Sequence, residues 1–338
     1  MRWCLPLLLM LLLSAPLAAS DLYTGEVPVA SQDEAARAEA MVATLKQVLV
    51  KVSGDPAAGE RPEVQGALKD PAPLIQAFYY RQEVDRSGPV PALKLYYAAN
   101  FEPRAITRLL STSGLSQWAR ERPTLMAWVV ADGALMSAAQ LAPLLRRAGE
   151  RGIQLSAGSA SAEENSEGGI SLIDVERGEI ARLRPVASRY GAPGVLAGRL
   201  YADTDGVAGR FAYGDGEREE SFEVRGADIA AALHAAADET ANRLAARYAF
   251  AAADSAPAEV AVVLRGLASA ADFARVHAYL TSLSVVREVR LETAAGDTLD
   301  LSLTVSGGAE RLRQIVALNE VLTVAGDSSE GALVLDLR

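Results

Sequence analysis

The chain has one cysteine, Cys4, and two histidines, His234 and His277, among its 338 residues. Beyond Cys4 no thiol remains for a disulfide, for nucleophilic catalysis or for a cysteine zinc site. The two histidines fall in separate segments, each inside a helical pattern. That placement suits packing or a solvated helix face better than a metal site or a Ser-His-Asp triad. Basic residues are outnumbered, 33 against 43 acidic, for a net charge of −10. A negative field disfavours nucleic acid and anionic lipid. Several catalytic signatures are missing: the Gly-x-Ser-x-Gly elbow, the Walker loop, Gly-x-Gly-x-x-Gly and His-Glu-x-x-His. Only one long apolar run exists, at residues 5–13.

That run opens what is there. Arg2 precedes it, and the small residues Ser14, Ala15, Ala18, Ala19 and Ser20 follow. This is the order of a secretory signal peptide, and the run is about half of the ~20 residues that span a bilayer. Cleavage is expected near Ala19 or Ser20, with the product exported to the periplasm; an uncleaved anchor is the other reading. Cys4 stands too early for a lipid attachment site and would leave with the leader. Without Arg2 the balance is 32 basic to 43 acidic residues, or about −11. The rest must hold together by burial alone, and a chain of this length usually divides into two or three domains.

The pattern divides it into residues 21–122, 123–253 and 254–338. In the first, a strand at residues 22–30 precedes a helix. Ser31 and Glu34 fit a capping box. Met41, Leu45, Val48, Leu49 and Val52 recur at helical spacing, and Gly54 supplies a left-handed stop. Two strand-like runs, residues 76–85 and 92–101, flank a Ser87-Gly88-Pro89 turn and read as a hairpin. A helix with Pro103 in its first turn follows. The second segment opens on the buried strand "TLMAWVVAD". It continues with a helix ended by Gly152, the polar loop "GSASAEENSEGG", a short strand "ISLIDV" and a helix that Pro185 interrupts or restarts. Strands paired around Asp203-Thr204-Asp205-Gly206, a third strand and a long Ala-rich helix capped by Asp228 complete it. After the Ala/Pro linker near Pro257, which suggests mobility, the third segment reads β-α-β-β-α-β, the ferredoxin-like order. Its first five elements repeat the order of the first segment. The fold class is therefore α/β (α+β), built of several small mixed units.

Few residues suggest chemistry. Asp203-x-Asp205-Gly206 resembles the start of a calcium loop, but its glycine and the twelfth-position glutamate do not fall where that loop needs them. Carboxylates are plentiful, yet no spacing picks out an acid/base pair. Aromatics make up only 6 % of the chain, so two tyrosine doublets stand out. A turn centred near Gly88 sets Tyr80 opposite Tyr96 and Tyr79 opposite Tyr97, one pair on each face of the sheet. One pair packs on the helices; the other is free to stack on a sugar or on a partner's apolar surface. Arg37, early in the first helix, either pairs with a carboxylate or is solvated. No cofactor and no metal site is expected.

Val27-Pro28-Val29, Ser31, Arg37 and Val52-Ser53-Gly54 resemble the opening of a family of exported proteobacterial proteins. That family is known only as a domain of unknown function, number two thousand and sixty-six. Leu172, Asp174 and Arg189-Tyr190-Gly191 extend the resemblance, with Ser171 where its members usually have proline. The middle segment is also similar, by element order, to the N-terminal domain of TolB and related envelope accessory domains. The resemblance implies no activity. Together with export and the missing signatures, it leads us to expect a non-enzymatic binding or assembly module of the cell envelope with an unidentified protein partner. The alternatives are a glycan or small-ligand binding protein and a hydrolase with an unrecognised carboxylate site.

Overall fold

A computed structural model describes residues 22–85, 91–158, 170–215, 218–251, 256–318, 321–329 and 331–338. The expected signal peptide, the Ser87-Gly88-Pro89 turn, most of the polar loop after Gly158 and the middle of the Ala/Pro linker lie outside the described residues. Strands and helices alternate throughout, as an α/β chain requires.

The N-terminal unit runs β1 (Thr24–Val29), α1 (Glu34–Ser53), α2 (Gln65–Lys69), β2 (Ile75–Asp85), β3 (Ala92–Phe101) and α3 (Pro103–Thr112). Its sheet is antiparallel in the order β1-β3-β2. Leu45, Val48, Leu49 and Val52 are fully buried along one stripe of α1, as their spacing predicts, while Met41 is partly covered. The helix start differs from expectation. Asp33, not Ser31, is the cap: its Oδ1 accepts from the Ala36 N–H at 2.8 Å, and Ser31 donates its hydroxyl to Oδ2. The Asp33 carboxyl is held below its usual range by the Ala36 N–H and then by Ser31. A charged acceptor at the helix N-terminus outcompetes a neutral hydroxyl.

β4 (Gln117–Trp118) leads into the middle unit. There follow β5 (Thr124–Ala131), β6 (Ala134–Leu135), α4 (Ala142–Glu150), β7 (Gln154–Ala157), α5 (Leu172–Arg177), α6 (Ile180–Arg189), β8 (Gly194–Asp203), β9 (Gly206–Gly214), β10 (Glu219–Gly226), α7 (Ile229–Tyr248) and β11 (Ala249–Phe250). β5 lies between parallel β7 and β8, and β9 and β10 continue antiparallel. Alternate residues of β5 feed two cores. Leu125, Ala127 and Val129 pack with α4 and α7; Met126, Trp128 and Val130 pack with residues of α5 and α6. A strand covered on both faces has no polar side, hence its unbroken apolar run. "ISLIDV" is not a strand. It forms the start of α5, with Ser171 at the N-cap and Gly178 closing it at φ 68°. Ile170 and Val175 are buried, five residues apart, while Ile173 between them is 57 % exposed. A short apolar run does not distinguish helix from strand by itself. Pro185 lies inside α6, which continues through it.

The C-terminal unit runs β12 (Pro257–Arg265), α8 (Ala270–Ser282), β13 (Val286–Ala295), β14 (Thr298–Ser306), α9 (Gly308–Ala317), β15 (Leu322–Asp327) and β16 (Leu333–Leu337). The ferredoxin-like element order is present, but the last hairpin changes the sheet. β16 lies between β12 and β15 and runs parallel to β12, which gives five strands in the order β13-β14-β12-β16-β15. The arrangement β12-β14-β13 has the same order and antiparallel pairing as β1-β3-β2. The repeated element order is thus also a repeated sheet topology.

The three units meet at the two-stranded ribbon β4–β11. Trp118 enters the middle core; Ala119 and Phe250 enter the C-terminal one. Two buried arginines fix the end of α1 there. Arg122 donates to three carbonyls: Lys51 (2.7 Å), Gly152 (2.7 Å) and Ala119 (3.1 Å), with its guanidinium 3.9 Å from the Trp118 ring centre. Burial pushes this guanidinium down to about 9, so it stays charged at neutral pH, and the carbonyl dipoles offset its lost hydration. Arg151 bonds Asp238 (2.6 Å), Asn242 (2.8 Å) and the Gly54 carbonyl (3.3 Å). On the other side, Glu121 accepts from the Ser284 N–H at 2.8 Å, and Arg311 donates to the Tyr248 carbonyl at 2.7 Å.

Gly54 has φ 77°, and a Cβ there would stand 2.4 Å from the Ala245 Cβ. Gly114 has φ 64° with nothing within 4 Å. Gly54→Ala should therefore cost ~2–4 kcal/mol, from left-handed strain plus overpacking. Gly114→Ala should cost ~1 kcal/mol, from strain alone. Urea unfolding of both variants checks the difference. Arg122→Met keeps volume but strands three carbonyls, and should lower the unfolding free energy by ~3 kcal/mol in the same assay.

Candidate functional site

The sheet of the N-terminal unit has two unlike edges. Along the outer edge of β1, α1 supplies the missing hydrogen-bond partners. Gln47 accepts from the Glu26 N–H at 2.7 Å, and Lys51 Nζ donates to the Thr24 carbonyl at 2.8 Å. Two positions further on stands Pro28, which has no N–H to offer. No strand pairs with the outer edge of β2 among the described residues. That edge is 11 residues long, while the mean strand is ~5–6.

The hairpin that carries the tyrosines is displaced by one residue from the expected register. Ile75 faces Phe101, in step with a turn centred on Gly88, but a bulge at Gln76 intervenes and Ala77 faces Asn100. From there Tyr80 faces Tyr97, Arg81 faces Tyr96 and Tyr79 faces Ala98, so neither expected tyrosine pair forms. An inserted residue in one strand shifts every later pairing by one place.

The inner face, toward α1, thus gathers Tyr80 and Tyr97 with Phe78. Phe78 stacks on Tyr97 with ring centres 5.5 Å apart, and Tyr80 meets Tyr97 edge-on at 5.5 Å. Arg37 on α1 lies close enough to act on Tyr97. Burial and then Tyr80 push that phenol up, and Arg37 pulls it back. Among the described residues Arg37 has no ion pair. The structure therefore brings Arg37, Tyr80 and Tyr97 together and places Tyr79 and Tyr96 on the other face.

On that outer face an ion pair occupies the space a stacked ligand would need. Arg81 lies 4.6 Å from the centre of the Tyr96 ring. It makes a two-pronged pair with Glu26 of β1 and bonds Glu83 at 2.6 Å. Glu26 first and Glu83 second raise the guanidinium further above its ordinary value. Tyr79, beside this group, is 48 % exposed.

Three residues with no place in the sequence-based site complete the surface. Phe78, Val84 and Leu93 are 49 %, 46 % and 65 % exposed. Val84 faces Leu93 across the hairpin, so all three share the inner face beyond the cover of α1. The period-two pattern Phe78, Tyr80, Val84 carried the signal; the doublets drew attention to adjacent residues, which point to opposite faces. Among the described residues, no group of three or more His, Cys, Asp or Glu is placed to hold a metal ion. No helix among them is long and apolar enough to cross a membrane.

Residues 17–119 match a family model described as Domain of unknown function (DUF8605). The match takes in α1 and both strands of the hairpin and covers less than a third of the chain. Its number differs from that of the family in the resemblance, and the second stretch of the resemblance, residues 171–200, lies outside it. No curated protein matches the chain, and no solved structure does.

Proposed function

We propose that this chain is an exported, non-enzymatic binding module of the bacterial cell envelope that takes an extended segment of a protein partner onto the outer edge of β2. One observation carries the reading: the edge of β1 is closed by Gln47, Lys51 and Pro28, while among the described residues the longer edge of β2 has no strand beside it. An unpaired edge presents a row of backbone donors and acceptors, and proteins that do not use such edges usually blunt them. The equivalent edge of the C-terminal unit, β13, is blunted. Both edge strands carry charged residues, but β13 has two irregularities, between Val286 and Glu288 and between Leu291 and Thr293. β2 has a single bulge at its start, followed by nine regularly paired residues from Ala77 to Asp85. Main-chain bonding to this edge supplies affinity, and contacts with Phe78, Val84 and Leu93 supply selectivity. The bulge keeps Tyr80 and Tyr97 in the supporting core, so the tyrosines stiffen the edge and the neighbouring apolar residues meet the partner.

A photo-crosslinking residue at Gln82 should capture one dominant envelope protein in living cells, and the same residue at Leu291 on β13 should not. The paired substitution Val84→Lys and Leu93→Lys should reduce that capture about tenfold, the loss of roughly two partly exposed apolar side chains, and leave the thermal midpoint unchanged. Equal capture from both positions, or none from Gln82, would sink the reading. Export is tested separately. Intact-mass analysis of the protein from the periplasmic fraction should show a chain that begins at Ser20 or Asp21; a chain that retains residues 1–19 refutes the cleaved leader.

A further inference from the structure

A large cleft lies elsewhere, where the three units meet. It encloses about 1120 Å³, against 330–460 Å³ for three smaller ones. One wall is the first turn of α3, with Arg104 and Thr107. The floor is the segment from Gln117 to Arg122. The far wall is the α8–β13 connection, with Ser282, Ser284 and Arg287. We propose that this cleft binds an acidic sugar: a short hydroxylated ligand that bears carboxylate or phosphate groups.

Charge carries the first part of the argument. Four arginines line the cleft, Arg104, Arg120, Arg122 and Arg287, against one carboxylate, Glu121. That is a local excess of positive charge in a chain of net charge −10. Glu121 offsets part of the charge of Arg122 and makes no ion pair among the described residues; its oxygens accept from the N–H and hydroxyl of Ser284, which leaves a net excess of positive charge. Arg122 is committed to its three carbonyls. Arg287 spends only Nε, on Ser306 at 2.9 Å. Arg104 and Arg120 are exposed, and among the described residues neither has an ion pair. Elsewhere on the surface Arg61, Arg210 and Arg265 each sit on a carboxylate. Among the described residues, two guanidiniums without an ion pair and the two uncommitted terminal nitrogens of Arg287 thus belong to residues that line one space between the three units. Oxyanions are the ligands that planar, multidentate donors of this kind hold.

The uncharged lining defines the rest of the ligand. Ser282, Ser284, Ser306, Thr107, Gln117 and Gln154 offer donors and acceptors together. An acidic peptide would also satisfy the charges; the density of hydroxyl and amide groups around the arginines favours a hydroxylated ligand. The apolar lining residues Phe250, Leu283 and Val285 are themselves at least nine-tenths buried. Leu22, Pro103 and the partly buried rings of Tyr23 and Tyr279 also line the cleft, and aromatic rings are groups on which sugar faces stack. The volume exceeds that of a typical small-ligand pocket, roughly 300–1,000 Å³, so it accommodates an oligosaccharide.

Calorimetric titration of the processed full-length protein tests the proposal with three probes at low salt. They are trigalacturonate, mannose 6-phosphate and the neutral trisaccharide maltotriose. At least one charged sugar should bind saturably with Kd below about 1 mM, and maltotriose should bind about tenfold more weakly or not at all. Preference between the two charged probes assigns the acid group as carboxylate or phosphate. Arg104→Ser with Arg120→Ser should weaken binding at least about tenfold, the loss of one to two charge-assisted bonds, without a change in thermal midpoint. Val84→Lys with Leu93→Lys should leave it unchanged, which separates this site from the β2 edge. No saturable binding of either charged sugar, full affinity in the double serine variant, or equal binding of inorganic phosphate alone would overturn it.

Discussion

The architecture depends on how the end of α1 is held. A helix leaves its last carbonyls unsatisfied, and burying them is costly unless donors are provided. Here the carbonyls of Lys51 and Gly54 point into the junction with the middle unit. Arg122 and Arg151 meet them with guanidinium groups that also bind α4, α7 and the ribbon β4–β11. Neither arginine is held by a simple ion pair across the junction: Arg122 rests on carbonyls and the Trp118 ring, and Arg151 divides its bonds between Asp238, Asn242 and the helix cap. Because each guanidinium bonds groups from different units, the units cannot shift without stranding several buried polar atoms at once. The sharp stop at Gly54 follows from the same demand. A residue with a Cβ would push Ala245 of α7 away and pull the carbonyls out of reach.

With that end fixed, α1 lies along β1 in one position. Lys51 and Gln47 fall opposite the Thr24 carbonyl and the Glu26 N–H, and the edge of β1 is closed as a consequence. The helix is 20 residues long, and its early turns reach Tyr97 but leave the Val84 and Leu93 side chains largely exposed. The same three-way junction that fixes α1 also leaves the cleft between α3, the Gln117–Arg122 segment and the C-terminal unit. Closed edge, open edge and cleft are three results of one packing decision.

Much of this was legible in local sequence. The buried stripe of α1, the Gly54 stop, the unbroken apolar run of β5, the Asp203–Gly206 turn and the Asp228 cap each follow from patterns within a few residues. What was not legible depended on longer range or on competition between close alternatives. Ser31 and Asp33 are both good caps, and only the backbone path decides between them. The bulge at Gln76 has no composition signal, yet it moves Tyr96 to the face opposite Tyr80 and so changes which tyrosines meet. The place of β16 between β12 and β15 depends on parallel pairing with a strand about 70 residues earlier. The arginine cage joins residues 71 and 97 apart. Nothing in the neighbourhood of Arg122 or Arg151 distinguishes them from the solvated arginines around them.

The repeated topology shows why the open edge belongs to the first unit. Both units place a hairpin strand at the border of a sheet, but they treat its opposite side differently. In the C-terminal unit β16 adds to β12 and extends the sheet, so the free border is β13, which is irregular. In the N-terminal unit α1 occupies the equivalent place beside β1, and no strand is added among the described residues. The sheet keeps three strands, its minimum for independent stability, and a fourth strand from a partner would bury the exposed side chains that three strands leave out. A border fixed in advance by the arginine cage loses little further entropy when a strand docks on it. The same rigidity that closes one edge thus favours binding at the other.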